Sequence, residues 1–188
     1  MSGLTPNRSY PYPQSTDGPP NIPADMLALA TALDTDMAAT LLKIAALGIP
    51  AAPATTSSND TATSGTTEKR DAALGNYVFT GVAGVRYRAC VYGRGYQPTV
   101  SGDRFSSRFR FTNNGATPTA SDTQAGTDTT FITLGTSGTS TYVVNHQCTF
   151  VPGAGTITIA LFNKQLSGTG VIVPTGVCEM FVEPIGIV

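Results

Sequence analysis

Val85-Arg86-Tyr87-Arg88-Ala89-Cys90-Val91-Tyr92 is the stretch that decides the fold. Val85, Tyr87, Ala89 and Val91 alternate with Arg86, Arg88, Cys90 and Tyr92, the period of two expected of a strand with one buried and one wet face. The same period recurs along the chain. Phe105, Ser107, Phe109 and Phe111 alternate with Arg104, Ser106, Arg108 and Arg110, and Tyr142, Val144, His146, Cys148 and Phe150 share a face. Ile157, Ile159 and Leu161 alternate with Thr156, Thr158 and Ala160, and Cys178, Met180 and Val182 with Glu179 and Phe181. With weaker runs at 76–80, 129–134 and 169–173, this predicts about eight strands separated by Gly, Pro, Asn and Thr turns. Short antiparallel strands at that density predict a mainly β fold, a jelly-roll-like antiparallel β-sandwich spanning 72–188. An immunoglobulin-like sandwich is the rival, and it lacks its usual Trp here.

Upstream, the pattern changes three times. Residues 1–21 form a Pro-rich arm, with Pro6, Arg8, Tyr10, Pro11, Tyr12, Pro13, Pro19 and Pro20, too rich in Pro for a helix or an inner strand. It is expected to be extended and to order only when docked, with its tyrosines as anchors; a disordered terminus is the alternative. Residues 22–47 predict one amphipathic helix. Pro23 suits its first turn, Asp25 complements the helix dipole, and Gly48 with Pro50 stops it. Its apolar positions are Ile22, Met26, Leu29, Leu33, Met37, Leu41, Ile44 and Leu47, spaced by fours and threes as in a loosened coiled-coil seam. Burying them is worth ~10–20 kcal/mol gross per chain, and the expected partner is another copy of the helix. Packing on the β-domain or on another protein is the alternative. Residues 48–71, Thr- and Ser-rich, read as a tether whose ends lie roughly 25–30 Å apart as a coil.

Composition excludes several functions. Net charge is −1 and charged residues make up 12%, so no global field recruits nucleic acid or an anionic membrane, and no apolar run reaches bilayer length. The N-terminus carries no signal-peptide pattern, which predicts synthesis in the cytoplasm. Cys90, Cys148 and Cys178 read as buried reduced thiols, with one disulfide plus a free thiol as the alternative. His146, the single histidine, reads as a packed strand residue rather than a base or metal ligand, even with Cys148 two residues away. Glu179 and Glu183 lack an aromatic cleft, Asp122 and Asp128 fall in a polar stretch at 112–128 that reads as a solvated loop rather than a weak Ca²⁺ site, and Gly93-Arg94-Gly95 lacks a phosphate-loop context. The expectation is a protein that is not an enzyme and needs no cofactor or metal.

Six of the eight arginines fall between Arg86 and Arg110. Arg86, Arg88 and Arg94 with Tyr92 and Tyr96 are the candidate binding surface, since Arg and Tyr anchor interfaces and tyrosines stack on sugar rings. The alternative is the polar face of a half-buried sheet.

Two stretches carry a family resemblance. Gly3-Leu4-Thr5-Pro6-Asn7-Arg8, Tyr10-Pro11-Tyr12-Pro13 and Ile22-Pro23-Ala24-Asp25-Met26, followed by Leu29-Ala30 and Ala32-Leu33-Asp34, resemble the N-termini of virion structural proteins from phages of actinobacteria, the minor tail proteins and tail or head fibres. Glu179-Met180-Phe181-Val182-Glu183-Pro184-Ile185-Gly186 resembles the closing strand of their β-sandwich domains, and Gly84-Val85-Arg86-Tyr87-Arg88 an early one. Pro184 stands where Asp is commoner in that pattern. The resemblance covers the first ~40 and loosely the last ~110 residues, and leaves the tether unmatched. It implies an arm and helix that fix the protein to the particle and a head that projects outward, typically as a trimer. The combined expectation is a short homotrimeric fibre or spike of the virion, a minor tail protein, held by Arg8, Tyr10, Pro11, Tyr12 and Pro13 in another virion protein and trimerised through Met26, Leu29, Leu33, Met37, Leu41 and Ile44. A capsid fibre or decoration protein, and a carbohydrate- or cell-wall-binding module for host attachment that recognises a surface glycan, are the alternatives.

Overall fold

The computed structural model describes residues 3–4, 11–12, 22–47, 53–56, 60, 65–132 and 141–188. The chain divides into two compact units, 1–45 and 46–188.

In the first unit, β1 (Gly3–Leu4) pairs antiparallel with β2 (Pro11–Tyr12), Gly3 opposite Tyr12 and Leu4 opposite Pro11. Part of the predicted extended arm therefore turns back on itself; Arg8, Tyr10 and Pro13 lie outside the described residues. The helix α1 (Ile22–Leu47) has the predicted limits, with Pro23 second and Asp25 in the first turn. No helix is long and apolar enough to cross a membrane among the described residues. Of the predicted seam, Met26, Leu33, Met37, Leu41 and Ile44 are exposed and Leu29 is half-buried. Leu27 and Leu42, off the seam, are exposed as well. Thr31 and Thr35 donate their hydroxyls to the carbonyls one turn back, Leu27 and Thr31, both at 2.9 Å, which satisfies them on the helix itself.

The second unit holds β3 (Ala54–Thr56), β4 (Lys69–Arg70), β5 (Asn76–Gly81), β6 (Val85–Pro98), β7 (Arg104–Thr112), β8 (Thr123–Ile132), β9 (Tyr142–Phe150), β10 (Gly155–Ser167), β11 (Ile172–Thr175) and β12 (Cys178–Ile187). They form two antiparallel five-stranded sheets. In the first, β10 lies between β7 and the pair β5 and β4, and β8 extends β7. In the second, β6 lies between β9 and the pair β12 and β11, and β3 extends β12. From β5 onward the chain changes sheet at every connection except β7–β8 and β11–β12. The core fills the space between the sheets: Val85, Tyr87, Ala89 and Val91 of β6 and Met180 and Val182 of β12 join one cluster with Phe109, Phe111, Ile157, Ile159 and Leu161 of the facing sheet. The period of two therefore assigned the inward face of these strands.

Two expectations change here. Residues 54–56 and 69–70 fall in the predicted tether yet pair with β12 and β10, and Asp60, Glu68 and Asp71 are bound to the sandwich as well. Asp60 donates its N–H to the Pro174 carbonyl at 2.9 Å. Glu68 grips Arg110 through Nε at 2.5 Å and Nη2 at 3.0 Å, and Arg108 through Nη1 at 2.7 Å. Low hydrophobicity hid these contacts, because they are made by backbone and charge. The polar stretch 112–128 is also shorter than a loop: β8 begins at Thr123, so Asp128 lies in a strand and pairs with Arg108.

Candidate functional site

The predicted Arg/Tyr surface is divided by a bulge. Up to Val91 the odd residues of β6 face the core; the register against β9 then shifts between Val91 and Arg94. Gly93, at φ +79°, supplies the left-handed step, and its N–H is held by Asn145 Oδ1 at 3.0 Å. One extra residue moves the even positions inward. Arg94 and Tyr96 are accordingly buried, which removes both from the candidate surface. Arg94 pairs with Asp71, and the Tyr96 hydroxyl donates to Asn163 Oδ1 at 3.0 Å. Burial holds the Tyr96 phenol well above the ordinary tyrosine range.

Arg86, Arg88 and Tyr92 remain on the outer face of the second sheet. The register builds rows there: Thr149 of β9, Arg88 of β6 and Glu183 of β12 form one, and Gln147, Cys90 and Phe181 the next. Arg88 donates Nε to Glu183 Oε1 at 2.7 Å, and Nη2 reaches the same oxygen. Tyr92 packs diagonally on Phe181, ring centroids 5.6 Å apart and planes 34° from parallel. Tyr92 is 42% exposed and Phe181 half-buried. Cys90, at the centre of the second row, is fully covered, and burial raises its thiol pKa. Beside the rows a recess of about 420 Å³ is lined by Arg88, Gly126, Thr127, Gln147, Thr149 and Ile185, with Cys148 at its wall. Sequence reasoning did not include Phe181 in the candidate surface, where it is half-buried and also packs against the main core cluster. The signal was present: it shares the parity of Glu179 and Glu183, the wet face of β12.

Several other titratable groups face inward or are paired. His146 packs on Phe109 with ring centroids 4.8 Å apart. Its Nε2 lies 3.3 Å from the Thr127 carbonyl, which can only accept, so Nδ1 accepts from the Ser107 hydroxyl, also at 3.3 Å. Burial lowers the His146 pKa and keeps the ring neutral. Ser107 is itself enclosed, so the pair has no access to a substrate. All three cysteines are free and buried, and burial pushes Cys148 up to about 12, which leaves it a protonated thiol. Asp122 accepts the Thr119 N–H at 2.6 Å and its hydroxyl at 2.8 Å, bonds that lower the Asp122 pKa. No group of three or more metal-ligating side chains sits together among the described residues.

No family model and no curated protein matches the chain. Among solved structures it is similar to an insecticidal delta-endotoxin of Bacillus thuringiensis, at 12% identity and TM-score 0.35 over 72% of this chain and 20% of that one. It is similar to a xylan-binding domain from Paenibacillus barcinonensis, at 6% identity and TM-score 0.33 over 71% of this chain and 98% of that one. The structure of infectious bursal disease virus, Gt strain, is similar at 10% identity and TM-score 0.38 over 74% of this chain and 39% of that one. Likeness at this level carries no functional argument, and the chain's own residues must supply it.

Proposed function

We propose that the chain is a non-enzymatic virion structural protein, a short trimeric fibre or spike of the minor-tail-protein kind that holds a particle protein by its N-terminal arm and displays a jelly-roll-like head. The observation that carries this reading is α1: Met26, Met37 and Leu41 are each 60% exposed or more, and a helix keeps such side chains in water only until a partner covers them. Immunogold labelling of intact particles tests it. Gold at the tail tip supports the minor-tail reading, gold over the head the capsid-fibre or decoration reading, and unlabelled particles sink both.

A second reading is favoured by the aromatic pair on the outer sheet face: a head that binds carbohydrate or cell wall for host attachment. An exposed Tyr against a Phe, flanked by hydrogen-bonding side chains, is suited to sugar rings. Saturable glycan binding by the full-length chain tests it, and its absence removes the attachment role while leaving the structural one standing.

A further inference from the structure

The rows on the outer face of the second sheet place two kinds of recognition side by side. At one end is the Tyr92–Phe181 pair, whose Tyr ring belongs to neither core cluster and is open to solvent. Two strands away in the row that holds Phe181 is Gln147, roughly 10 Å off at ordinary strand spacing. There, at the β9 edge where β8 of the first sheet comes alongside, the recess offers an amide from Gln147 and hydroxyls from Thr149 and from Thr127 of β8, neutral groups that both donate and accept. Charge narrows the ligand further. Arg88, the cation in the recess, is already committed to Glu183, and outside the recess exposed Arg86 and exposed Glu179 carry opposite charges on the same face. An anionic ligand finds no uncompensated cation in the recess, whereas a neutral polyhydroxylated one can stack at one end and exchange hydrogen bonds at the other.

Building on the sugar-binding reading above, we propose that this face binds a neutral oligosaccharide, stacked on Tyr92 and Phe181 and hydrogen-bonded by Gln147, Thr127 and Thr149. Calorimetric titration of the full-length protein with cellotetraose, maltotetraose, chitotetraose and tetragalacturonic acid decides it. The expected result is saturable binding of at least one neutral sugar, weakened about tenfold or more by Tyr92→Ala or Gln147→Ala and largely retained by Tyr92→Phe. Phe181→Ala is read only if its melting temperature stays near that of the parent, and Tyr92→Phe keeps the test meaningful if it does not. Neutral-sugar binding that survives Tyr92→Ala leaves the head a sugar-binding module but overturns this face as its site. No binding of any neutral sugar overturns both. Preference for the acidic sugar, or capture of a protein by this face in place of sugar, also overturns the proposal.

Discussion

Arg94 and Asp71 meet side-on inside the head, with Nε 2.7 Å from Oδ2 and Nη2 2.8 Å from Oδ1, and both side chains are fully enclosed. Asp71 Oδ1 also accepts the Leu74 N–H at 3.0 Å, and the Asp71 N–H donates to the Leu161 carbonyl at 2.9 Å. The pair thus ties the residue following β4 to the part of β6 beyond the bulge. Removing one partner strands a buried charge, so Asp71→Ala or Arg94→Ala should each cost about 3–5 kcal/mol. Urea denaturation measures this; a loss below ~1 kcal/mol for both would refute the assignment.

His146 makes stability depend on pH. Its folded pKa lies below the ordinary 6.5 because burial disfavours the imidazolium. The unfolded chain therefore binds the proton first. The contribution is fully present above about pH 6.5 and is lost as pH falls through that value towards the folded pKa. Urea midpoints at pH 7.5 and 5.5 should differ more for the parent than for His146→Gln. Equal differences would remove His146 as the cause.

Gly126 sits at φ +65°, and a Cβ there would lie 2.4 Å from Cys148 Cβ. Strain and overlap act together, so Gly126→Ala should destabilise the head by about 2–4 kcal/mol. Thermal melts check this, and an unchanged melting temperature would contradict the local geometry.

Replacing Leu33 and Leu41 with Asp places charges on the exposed seam of α1. If the helices bundle, light scattering should show the mass falling from about three chains to one chain of 19.4 kDa, with the head still folded. A parent protein that is already monomeric would refute the helical seam.

Much of the sandwich was legible because a half-buried strand must alternate. Val85 to Val91, Tyr142 to Phe150 and Cys178 to Val182 each declare their inner face in this way. The limits of α1 were legible from Pro23, Asp25 and Gly48. The fate of Arg94 and Tyr96 was not, because a single left-handed residue reverses the faces of the strand. Gly93, a glycine within a strand pattern, was the available sign. The Tyr92–Phe181 pair escaped for another reason: it joins residues 89 positions apart in sequence, and only the β6–β12 register brings them together.

The short strands β3 and β4 have a consequence for handling the head by itself. They occupy part of the outer edge of β12 at Cys178–Met180 and of β10 at Phe162–Asn163. A fragment beginning at residue 72 leaves those backbone donors and acceptors bare, and bare strand edges recruit strands from other chains. Such a fragment should clump where one beginning near residue 53 stays dispersed. The hydroxyl-rich segment ahead of the head thereby guards it against self-adhesion.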